Sequence, residues 1–442
     1  MKKLSILLFI LSTNITASAQ LDTSKLNKYF TLLDKHQKAM TSVCLYDKGI
    51  FVYDRAIGFA DVHQNKKSNV YTQYRIGSIS KMFTAVMILQ LVEEKKLQLN
   101  TPLNVFYPAI KNSSIITIEQ LLNHRSGIPN LTADKNYTSY HTTPKSEQEL
   151  IQIFEQFSSD FEPGTRYSYS NSNYILLSFI LEKLTQSTYA EQLLKRVCAK
   201  ANLADTKVGG HIQVLNNECH SYDFENNQWV LSEETDMSIP QGAGNIVSTA
   251  KDLCLFIEAL FEEKLISKPM LENMKKMNEG YGYGMIQFPF AKKVFYGHTG
   301  GIDAFQSMLG YNEEDKLAVC IVGNGYNYAM NDIAIAMLNI YYNKAFELPV
   351  FEKRVLSEAA LKSIEGVYGN SKMNMTITIF KQDSVLMAQA TGQGAIPLEK
   401  VNELEYQFKA ADIRMFFMKD EKEHIQNFKL QQAGMDLFFE KQ

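Results

Sequence analysis

The sequence has few cysteines, no long apolar run beyond its N-terminus and no dense block of basic residues. Its five cysteines form no C-x-x-C pair and show no spacing typical of a zinc site. The odd number leaves at least one thiol unpaired, and Cys44, Cys254 and Cys320 lie in apolar runs, where we expect small buried hydrophobic side chains. Lysine and arginine (45 in total) nearly balance 48 acidic residues, so nucleic acid is not an expected partner.

The N-terminus has the pattern of a secretory signal peptide. Lys2 and Lys3 precede the apolar run 4–11, and an Ala-Ser-Ala stretch at 17–19 predicts cleavage before Gln20. The alternative is a membrane anchor, but the apolar run is much shorter than the roughly 20 residues of a spanning helix. We therefore expect an exported protein, periplasmic or secreted, with a formal charge of −5 and no membrane span after the signal is removed.

Strand patterns at both ends of the first 345 residues enclose a helical middle. A helix is predicted over 26–40, a hairpin around Asp47-Lys48-Gly49, and strands over 293–324. Further helices are predicted over the segments 81–94, 116–123, 148–157, 173–184 and 328–341. The predicted class is α+β: an antiparallel sheet flanked by helices, whose first and last strands are neighbours, with an all-helical lobe inserted between them.

The last part of the chain has a different pattern. Apolar residues become sparse over 346–357, and beyond Gly366 short alternating strands dominate. We divide the chain into a signal peptide (1–19), a large α+β domain (20–345), a linker (346–357) and a small all-β barrel or sandwich (358–442). The β domain could serve stability or oligomer contacts, or gate a cleft.

Residues 74–84, YRIGSISKMFT, place Ser78 and Lys81 one helical turn apart at the start of an apolar helix. Side chains at i and i+3 share a helix face, so the two groups can approach each other. The helix N-terminus stabilises a developing anion, and an apolar surrounding lowers the preference of a lysine for charge. The pair is a candidate activated nucleophile, although Ser78 could also be only an N-cap.

A second Ser-x-x-Lys, Ser248 to Lys251, shows how weak the motif is by itself. There Thr249 and Asp252 match a T-x-x-D capping box before LCLFIEALF, so a helix start explains these residues without chemistry.

Two more segments carry candidate site residues. In EPGTRYSYSNSNYILL, Tyr169 could transfer a proton and Asn171 could bind a substrate amide, although Asn171 could instead cap a helix beginning at Asn173. In YGHTGG, the glycines at 300 and 301 indicate close approach of another backbone or of a ligand.

An acyl substrate could pair with the strand that holds Thr299, and the N–H groups of Gly301 and Ser78 would form an oxyanion hole. His298 could act as a general base, but a structural or binding role is the better interpretation of a lone histidine.

The three elements occur in the order Ser78-x-x-Lys81, Tyr169-x-Asn171, His298-Thr299-Gly300, separated by 91 and 129 residues. With the phrases LLNHRSGIPN, GAGNIVSTAKDL and GHTGGIDAF, they resemble the penicillin-recognising serine hydrolases over about residues 25–345. The similarity is greatest to the branch of class C β-lactamases, D-alanyl-D-alanine carboxypeptidases and related esterases. LKSIEGVYGN is similar to β domains appended to this family.

The resemblance implies an acyl-enzyme on Ser78, proton transfer shared by Lys81 and Tyr169, and substrate binding by Asn171, His298, Thr299, Gly300 and Gly301. It implies neither a metal nor an organic cofactor. Class C β-lactamases carry lysine where this chain has His298, which favours a carboxypeptidase, D-amino-acid peptidase or esterase over β-lactam hydrolysis. A non-catalytic penicillin-binding or muropeptide sensor is the alternative from another class. The expected ligands are D-amino-acid peptides, esters or β-lactams.

Overall fold

The structure is a computed structural model. It describes residues 21–351, 358–371, 373, 375–382, 385–402, 404–408, 411, 413–432 and 435–442. The predicted signal peptide and residues 352–357 of the predicted linker lie outside the described residues. The chain divides into two compact units between Leu348 and Pro349.

The helices belong mainly to the first unit, where most of them lie between the first and the last strands of the sheet. Within the described residues they are α1 (Thr23–Lys35), α2 (Ser80–Glu93), α3 (Ile118–Leu122), α4 (Tyr137–Tyr140), α5 (Glu147–Glu155), α6 (Asn171–Thr185), α7 (Tyr189–Leu193), α8 (Ala199–Ala201), α9 (Ala250–Phe261), α10 (Lys268–Lys275), α11 (Met330–Tyr341) and α12 (Glu358–Ile364).

The strands occur in both units and are numbered along the chain. The described strands of the first unit are β1 (Ala39–Asp47), β2 (Ile50–Ile57), β3 (Phe59–Asp61), β4 (Lys66–Lys67), β5 (Tyr74–Arg75), β6 (Lys207–Val208), β7 (Tyr222–Glu225), β8 (Gln228–Leu231), β9 (Ile246–Ser248), β10 (Ile286–Phe290), β11 (Lys293–Ile302), β12 (Phe305–Asn312) and β13 (Leu317–Tyr326). Those of the second unit are β14 (Gly366–Asn370), β15 (Met375–Gln382), β16 (Val385–Ala390), β17 (Ile396–Lys400), β18 (Glu405–Phe408), β19 (Ile413–Lys419), β20 (Ile425–Gln432) and β21 (Met435–Lys441).

The main sheet is antiparallel with the strand order β10-β11-β12-β13-β1-β2. The predicted pairing of first and last strands is confirmed, because β1 lies between β2 and β13, with Cys44 opposite Cys320. Helix α9 packs on β1, β12 and β13, while α1 and α11 pack on β1, β2 and β13. The α+β class with a helical lobe is therefore confirmed.

Helix α2 lies in the centre of the first unit. All its residues from Ser80 to Leu91 are buried, as the uniformly apolar sequence predicts. Phe83 stacks on Phe256 of α9 at a centroid distance of 3.7 Å, which joins α2 to the helix that covers the sheet. This packing provides a rigid base for the residues immediately before the helix.

The predicted end of the first helix is wrong. The sequence predicts a helix over 26–40, but α1 ends at Lys35 and β1 begins at Ala39. Gln37 has φ of +50°, and the N–H of Lys38 donates to the carbonyl of Leu33 at 2.8 Å. A residue in the left-handed region ends a helix in this way, which polar composition alone does not reveal.

Cys44, Cys254 and Cys320 are buried free thiols, as predicted, and so are Cys198 and Cys219, for which the sequence makes no prediction. Burial raises the pKa of the Cys254 thiol well above its usual value. In the part of the chain that the structure describes, no group of His, Cys, Asp or Glu side chains has an arrangement that could hold a metal ion. No described helix has the length and apolar character needed to cross a membrane.

The second unit is a closed antiparallel barrel, β14 to β21, in which β14 pairs with β21. The open choice between barrel and sandwich is thus decided for a barrel. Its core contains Tyr368, Phe417, Phe428 and Phe439, and the Phe428 ring stacks on Phe439 at 5.0 Å. These aromatic side chains fill the interior of the barrel with apolar surface.

Candidate active site

Ser78 lies in a 3₁₀ turn, Gly77–Ile79, immediately before α2. The helix itself begins at Ser80, one residue before the predicted segment 81–94, and the residue before it, Ile79, makes no side-chain cap bond. The interpretation of Ser78 as only an N-cap is therefore wrong. Gly77 has φ of +50°, and a Cβ there would lie 2.7 Å from the backbone nitrogen of Gly301, so only glycine fits between this turn and β11.

Two side chains from different elements contact the Ser78 hydroxyl. The amine of Lys81 lies 3.0 Å from Ser78 Oγ, and the phenol of Tyr169 donates to the same oxygen at 2.7 Å. Ser78 is half-buried and lines a cavity, so its hydroxyl is within reach of a ligand. The structure thus brings together the residues that sequence analysis proposed as catalytic.

Lys81 is completely buried at the base of this group. Its amine donates to the side-chain oxygen of Asn171 and to the carbonyl of Ala243, each at 2.7 Å. Burial lowers the pKa of the Lys81 amine well below its usual value. Both oxygens only accept hydrogen bonds, and neither is charged, so this surrounding suits a neutral amine.

Asn171 is the first residue of α6 and does not cap a helix at Asn173, so the capping interpretation is wrong. Its amide nitrogen donates to Asn130 Oδ1 at 3.0 Å, which leaves its oxygen directed to Lys81. Burial raises the pKa of Tyr169 above its usual value, and the bond to Ser78 partly opposes this change. Tyr169 therefore stays protonated at neutral pH.

His298 lies on β11 but does not line the cavity. Its ring is buried, Nε2 is 3.0 Å from the hydroxyl of Tyr281, and Nδ1 contacts the carbonyl of Thr299. Burial, together with the nearby Lys81, lowers the pKa of His298 to about 3. The imidazole is therefore uncharged at neutral pH, and its position does not support the general-base alternative.

The other residues of the β11 segment differ in their surroundings. Thr299 is exposed, and Gly301 lines the cavity beside Ser78. A Cβ at Gly300 would lie only 2.0 Å from the carbonyl oxygen of Ile76, whereas one at Gly301 would meet no heavy atom nearer than 3.9 Å. The predicted close approach of a second backbone is confirmed at Gly300, and the approaching chain is the segment leading to Ser78.

The cavity beside Ser78 has a volume of about 460 Å³. The residues that line it include the apolar Leu131, Ile175 and Ile239. Among the described residues, the lining also contains three acidic ones (Asp223, Glu233 and Asp303) but neither lysine nor arginine. The cavity can therefore hold a small acyl group, and its lining supplies no permanent cation.

The acidic residues of the lining differ in their pairing. Asp303 is buried and accepts from Arg75 at 2.8 Å, so its charge is balanced. Glu233 is exposed, with His141 Nε2 at 3.8 Å, and Asp223 accepts from the hydroxyl of Ser232 at 2.6 Å. Sequence analysis missed these residues, because short polar strands such as β7 carry no motif.

The second Ser-x-x-Lys is structural. Ser248 Oγ is fully buried against the hydroxyl of Thr206 at 2.8 Å, and Lys251 pairs with Asp54 at 2.6 Å on the surface. Only half of the predicted capping box forms. The Thr249 hydroxyl accepts from the N–H of Asp252 at 3.1 Å. The Asp252 carboxylate does not bond back to Thr249 but accepts from the hydroxyl of Thr206 and from the N–H of Asp205.

The fold and the site define a class of protein: the chain belongs to the Beta-lactamase family of serine hydrolases, whose sequence model matches residues 26–341. Among curated relatives, Penicillin-binding protein 4* of Bacillus subtilis (strain 168) is 27% identical over 301 residues, which cover 63% of this chain and 66% of that protein. The match therefore spans slightly less than two thirds of that relative.

Two further similarities extend this comparison. Teichoic acid D-alanine hydrolase of Staphylococcus aureus (strain NCTC 8325 / PS 47) is 24% identical over 292 residues, covering 65% of this chain and 71% of that protein. The solved octameric penicillin-binding protein homologue from Pyrococcus abyssi is 25% identical with a TM-score of 0.68, covering 95% of this chain and 100% of that one.

Proposed function

We propose that this protein hydrolyses D-aminoacyl esters or amides through an acyl-enzyme on Ser78. The observation that carries the proposal is the position of Ser78 Oγ, which lies 3.0 Å from the Lys81 amine and 2.7 Å from the Tyr169 phenol at the edge of a cavity. A nucleophile in contact with a base, which is in turn oriented by other groups, is the arrangement that acyl transfer requires.

A neutral Lys81 has two N–H bonds and one lone pair. The N–H bonds donate to Asn171 Oδ1 and to the carbonyl of Ala243, which directs the lone pair to the Ser78 hydroxyl. When Ser78 Oγ bonds to the acyl carbon, its proton moves to Lys81. The bond to the leaving group then breaks, and Tyr169 passes that group a proton which Lys81 replaces.

Hydrolysis of the ester regenerates the enzyme. A water gives one proton to the amine and tyrosine pair and bonds to the acyl carbon, and the ester oxygen leaves as the Ser78 hydroxyl. The N–H groups of Ser78 and Gly301 are the proposed donors to the oxyanion of both intermediates. Ser78 and Gly301 line the same cavity, which supports the pairing of these two N–H groups.

The charge of the cavity selects among substrate classes. A carboxypeptidase or a β-lactamase binds a substrate carboxylate, yet no lysine or arginine lines the cavity in the described part of the chain, and burial lowers the pKa of His298 to about 3. This favours an acyl group that carries no carboxylate. The relative named teichoic acid D-alanine hydrolase supports the D configuration. The contacts of Ser78 with both reactive side chains argue against a sensor without catalysis.

Labelling with a fluorophosphonate tests the nucleophile. We expect wild-type protein to be labelled, Ser78→Ala to lose the label and the matched control Ser248→Ala to keep it, because Ser248 is buried. Labelling that survives in Ser78→Ala would reject the proposal.

A substrate panel tests the acyl group: D-alanine methyl ester and D-alanyl-p-nitroanilide, their L enantiomers, an N-acetylated D-alanyl-D-alanine and nitrocefin. We expect kcat/KM for the free-amine D substrates to exceed those of the other compounds by at least about tenfold, which corresponds to about 1.4 kcal/mol, the free energy of one hydrogen bond. Faster turnover of the acid-terminated peptide or of nitrocefin would instead support the carboxypeptidase or the β-lactamase alternative.

Export is also part of the proposal. It is supported by Lys2 and Lys3, the apolar run after them and the Ala-Ser-Ala stretch before Gln20.

A further inference from the structure

His124 is a buried histidine that the proposed proton transfers do not use. It follows α3 in the phrase LLNHRSG, has φ of +58° and exposes none of its surface. It is not among the residues lining the cavity. Its ring lies nearest to that of Tyr169, at a centroid distance of 4.3 Å, and also contacts the rings of Tyr281 and Tyr174.

The backbone carbonyl and the ring of His124 accept hydrogen bonds from the two residues that flank Tyr169. The carbonyl of His124 accepts from the N–H of Ser168 at 3.0 Å, and its Nδ1 accepts from the N–H of Ser170 at 3.2 Å. Between these bonds, the imidazole ring lies against the phenol ring of Tyr169 with a centroid distance of 4.3 Å. One residue therefore fixes the chain on both sides of Tyr169 and the plane of its ring.

The surrounding bonds also determine the tautomer of His124. Asn173 Oδ1 accepts from the hydroxyl of Ser126 at 2.7 Å, so the Asn173 amide nitrogen faces His124 Nδ1, at 3.2 Å. With two donors directed at Nδ1, the ring proton lies on Nε2, which is buried and has no hydrogen-bond partner among the residues that the structure describes. A buried donor left unsatisfied costs stability, so packing alone does not account for a histidine at this position.

We propose that His124 is a positioning residue, which holds the Tyr169 phenol at 2.7 Å from Ser78 Oγ through the Ser170 N–H and the ring contact. This inference rests on the proposed function, since it assigns His124 a role in the same acyl transfer. The requirement for an acceptor at Nδ1 explains the choice of residue: neither a phenylalanine nor a protonated histidine could accept from the Ser170 N–H.

Steady-state kinetics on the best substrate of the panel test the proposal with two variants. His124→Phe keeps a ring but removes the acceptor, and we expect kcat to fall about 10- to 100-fold with KM within about twofold, because His124 does not line the cavity. His124→Asn keeps an acceptor near the position of Nδ1 and tolerates a positive φ, so we expect its kcat to be higher than that of His124→Phe and only several-fold below that of the wild type.

Tyr174→Phe is the matched control. Tyr174 is buried with its ring 5.2 Å from His124, and its hydroxyl donates to the Leu122 carbonyl at 2.7 Å. The change removes one buried hydrogen bond next to His124 without touching Ser168 or Ser170, so we expect lower stability but an unchanged kcat. A kcat that falls equally in Tyr174→Phe and His124→Phe would overturn the proposal, because both losses would then be structural.

A double-mutant cycle covers the case in which His124→Phe does not fold. In wild-type protein we expect His124→Asn to lower kcat several-fold through the lost ring contact, and in a Tyr169→Phe background to lower it no further. Equal losses in both backgrounds would refute the role of His124. Ser78→Ala in the same assay separates the two proposals: turnover that persists there rejects the nucleophile, whatever the His124 variants show.

Discussion

Replacing Gly300 with alanine is the most demanding test of how β11 supports the nucleophile. A Cβ at this position would lie 2.0 Å from the carbonyl oxygen of Ile76 and 2.4 Å from the hydroxyl of Ser307, where real contacts are at least 3.0 Å. The two backbones must therefore separate by roughly 1 Å. Ile76 immediately precedes the turn that holds Ser78, so the displacement reaches the nucleophile directly.

The structure sets the size of both expected effects. Overpacking of this kind costs about 1 to 3 kcal/mol of unfolding free energy. A misplacement of about 1 Å in a catalytic group can lower the rate of acylation about 100-fold. We expect Gly300→Ala to show both losses, measured by urea unfolding and by the rate of fluorophosphonate labelling.

Gly301→Ala is the neighbouring control. Its Cβ would have no heavy atom closer than 3.9 Å, so we expect a change of less than about 0.5 kcal/mol in the free energy of unfolding. Because Gly301 lines the cavity, a change in the labelling rate of Gly301→Ala reports contact between the added methyl group and the reagent. If Gly300→Ala is as stable as Gly301→Ala and is labelled at the wild-type rate, the account of the β11 contact is refuted.

Three other predictions concern stability and processing. Because the pKa of His298 is about 3 in the fold and about 6.5 when unfolded, falling pH from 6.5 towards 3 should cost at most about 5 kcal/mol, and His298→Gln should lessen this loss in urea titrations. Arg75→Ala leaves Asp303 buried and without its 2.8 Å partner, so unfolding should become easier by about 3 to 5 kcal/mol, and Asp303→Asn should partly restore it. Intact mass of exported protein should correspond to a chain beginning at Gln20; an unprocessed mass would contradict the signal peptide.

The sheet and its helices could be predicted because their patterns are local. Hydrophobic periodicity and turn residues placed the hairpin at Asp47-Lys48-Gly49, the buried helix α2 and the barrel strands. Strand β10 was missed because its sequence, IQFPF, contains Pro289, which cannot donate to a ladder. The structure explains this, since β10 lies at an edge and pairs only with β11 among the described strands.

The site was less predictable where its contacts join distant segments. Ser78 and Lys81 are close in sequence, and their motif was visible, as was Tyr169-x-Asn171. Two contacts have no periodic signal in the sequence: the hydrogen bond between Tyr281 and His298, and the hydrogen bond from the Ser170 N–H to His124. Both depend on how distant segments meet in the fold. His124 belongs to the segment LLNHRSGIPN, which contributes to the family resemblance, but the sequence around it does not indicate that it contacts Ser170 and Tyr169.

The order of the strands has a consequence for synthesis. Thr41 of β1 donates to the carbonyl of Val322 in β13, and 281 residues separate them in the chain. At about 5 to 20 residues per second, a ribosome needs roughly 14 to 56 s to make this interval. Throughout that time the β1 edge of the hairpin, which β13 later covers, is open as well as the β2 edge, and strands of other nascent chains can bind to this β1 edge. The yield of native molecules should therefore depend on expression rate and on chaperones that cover this edge.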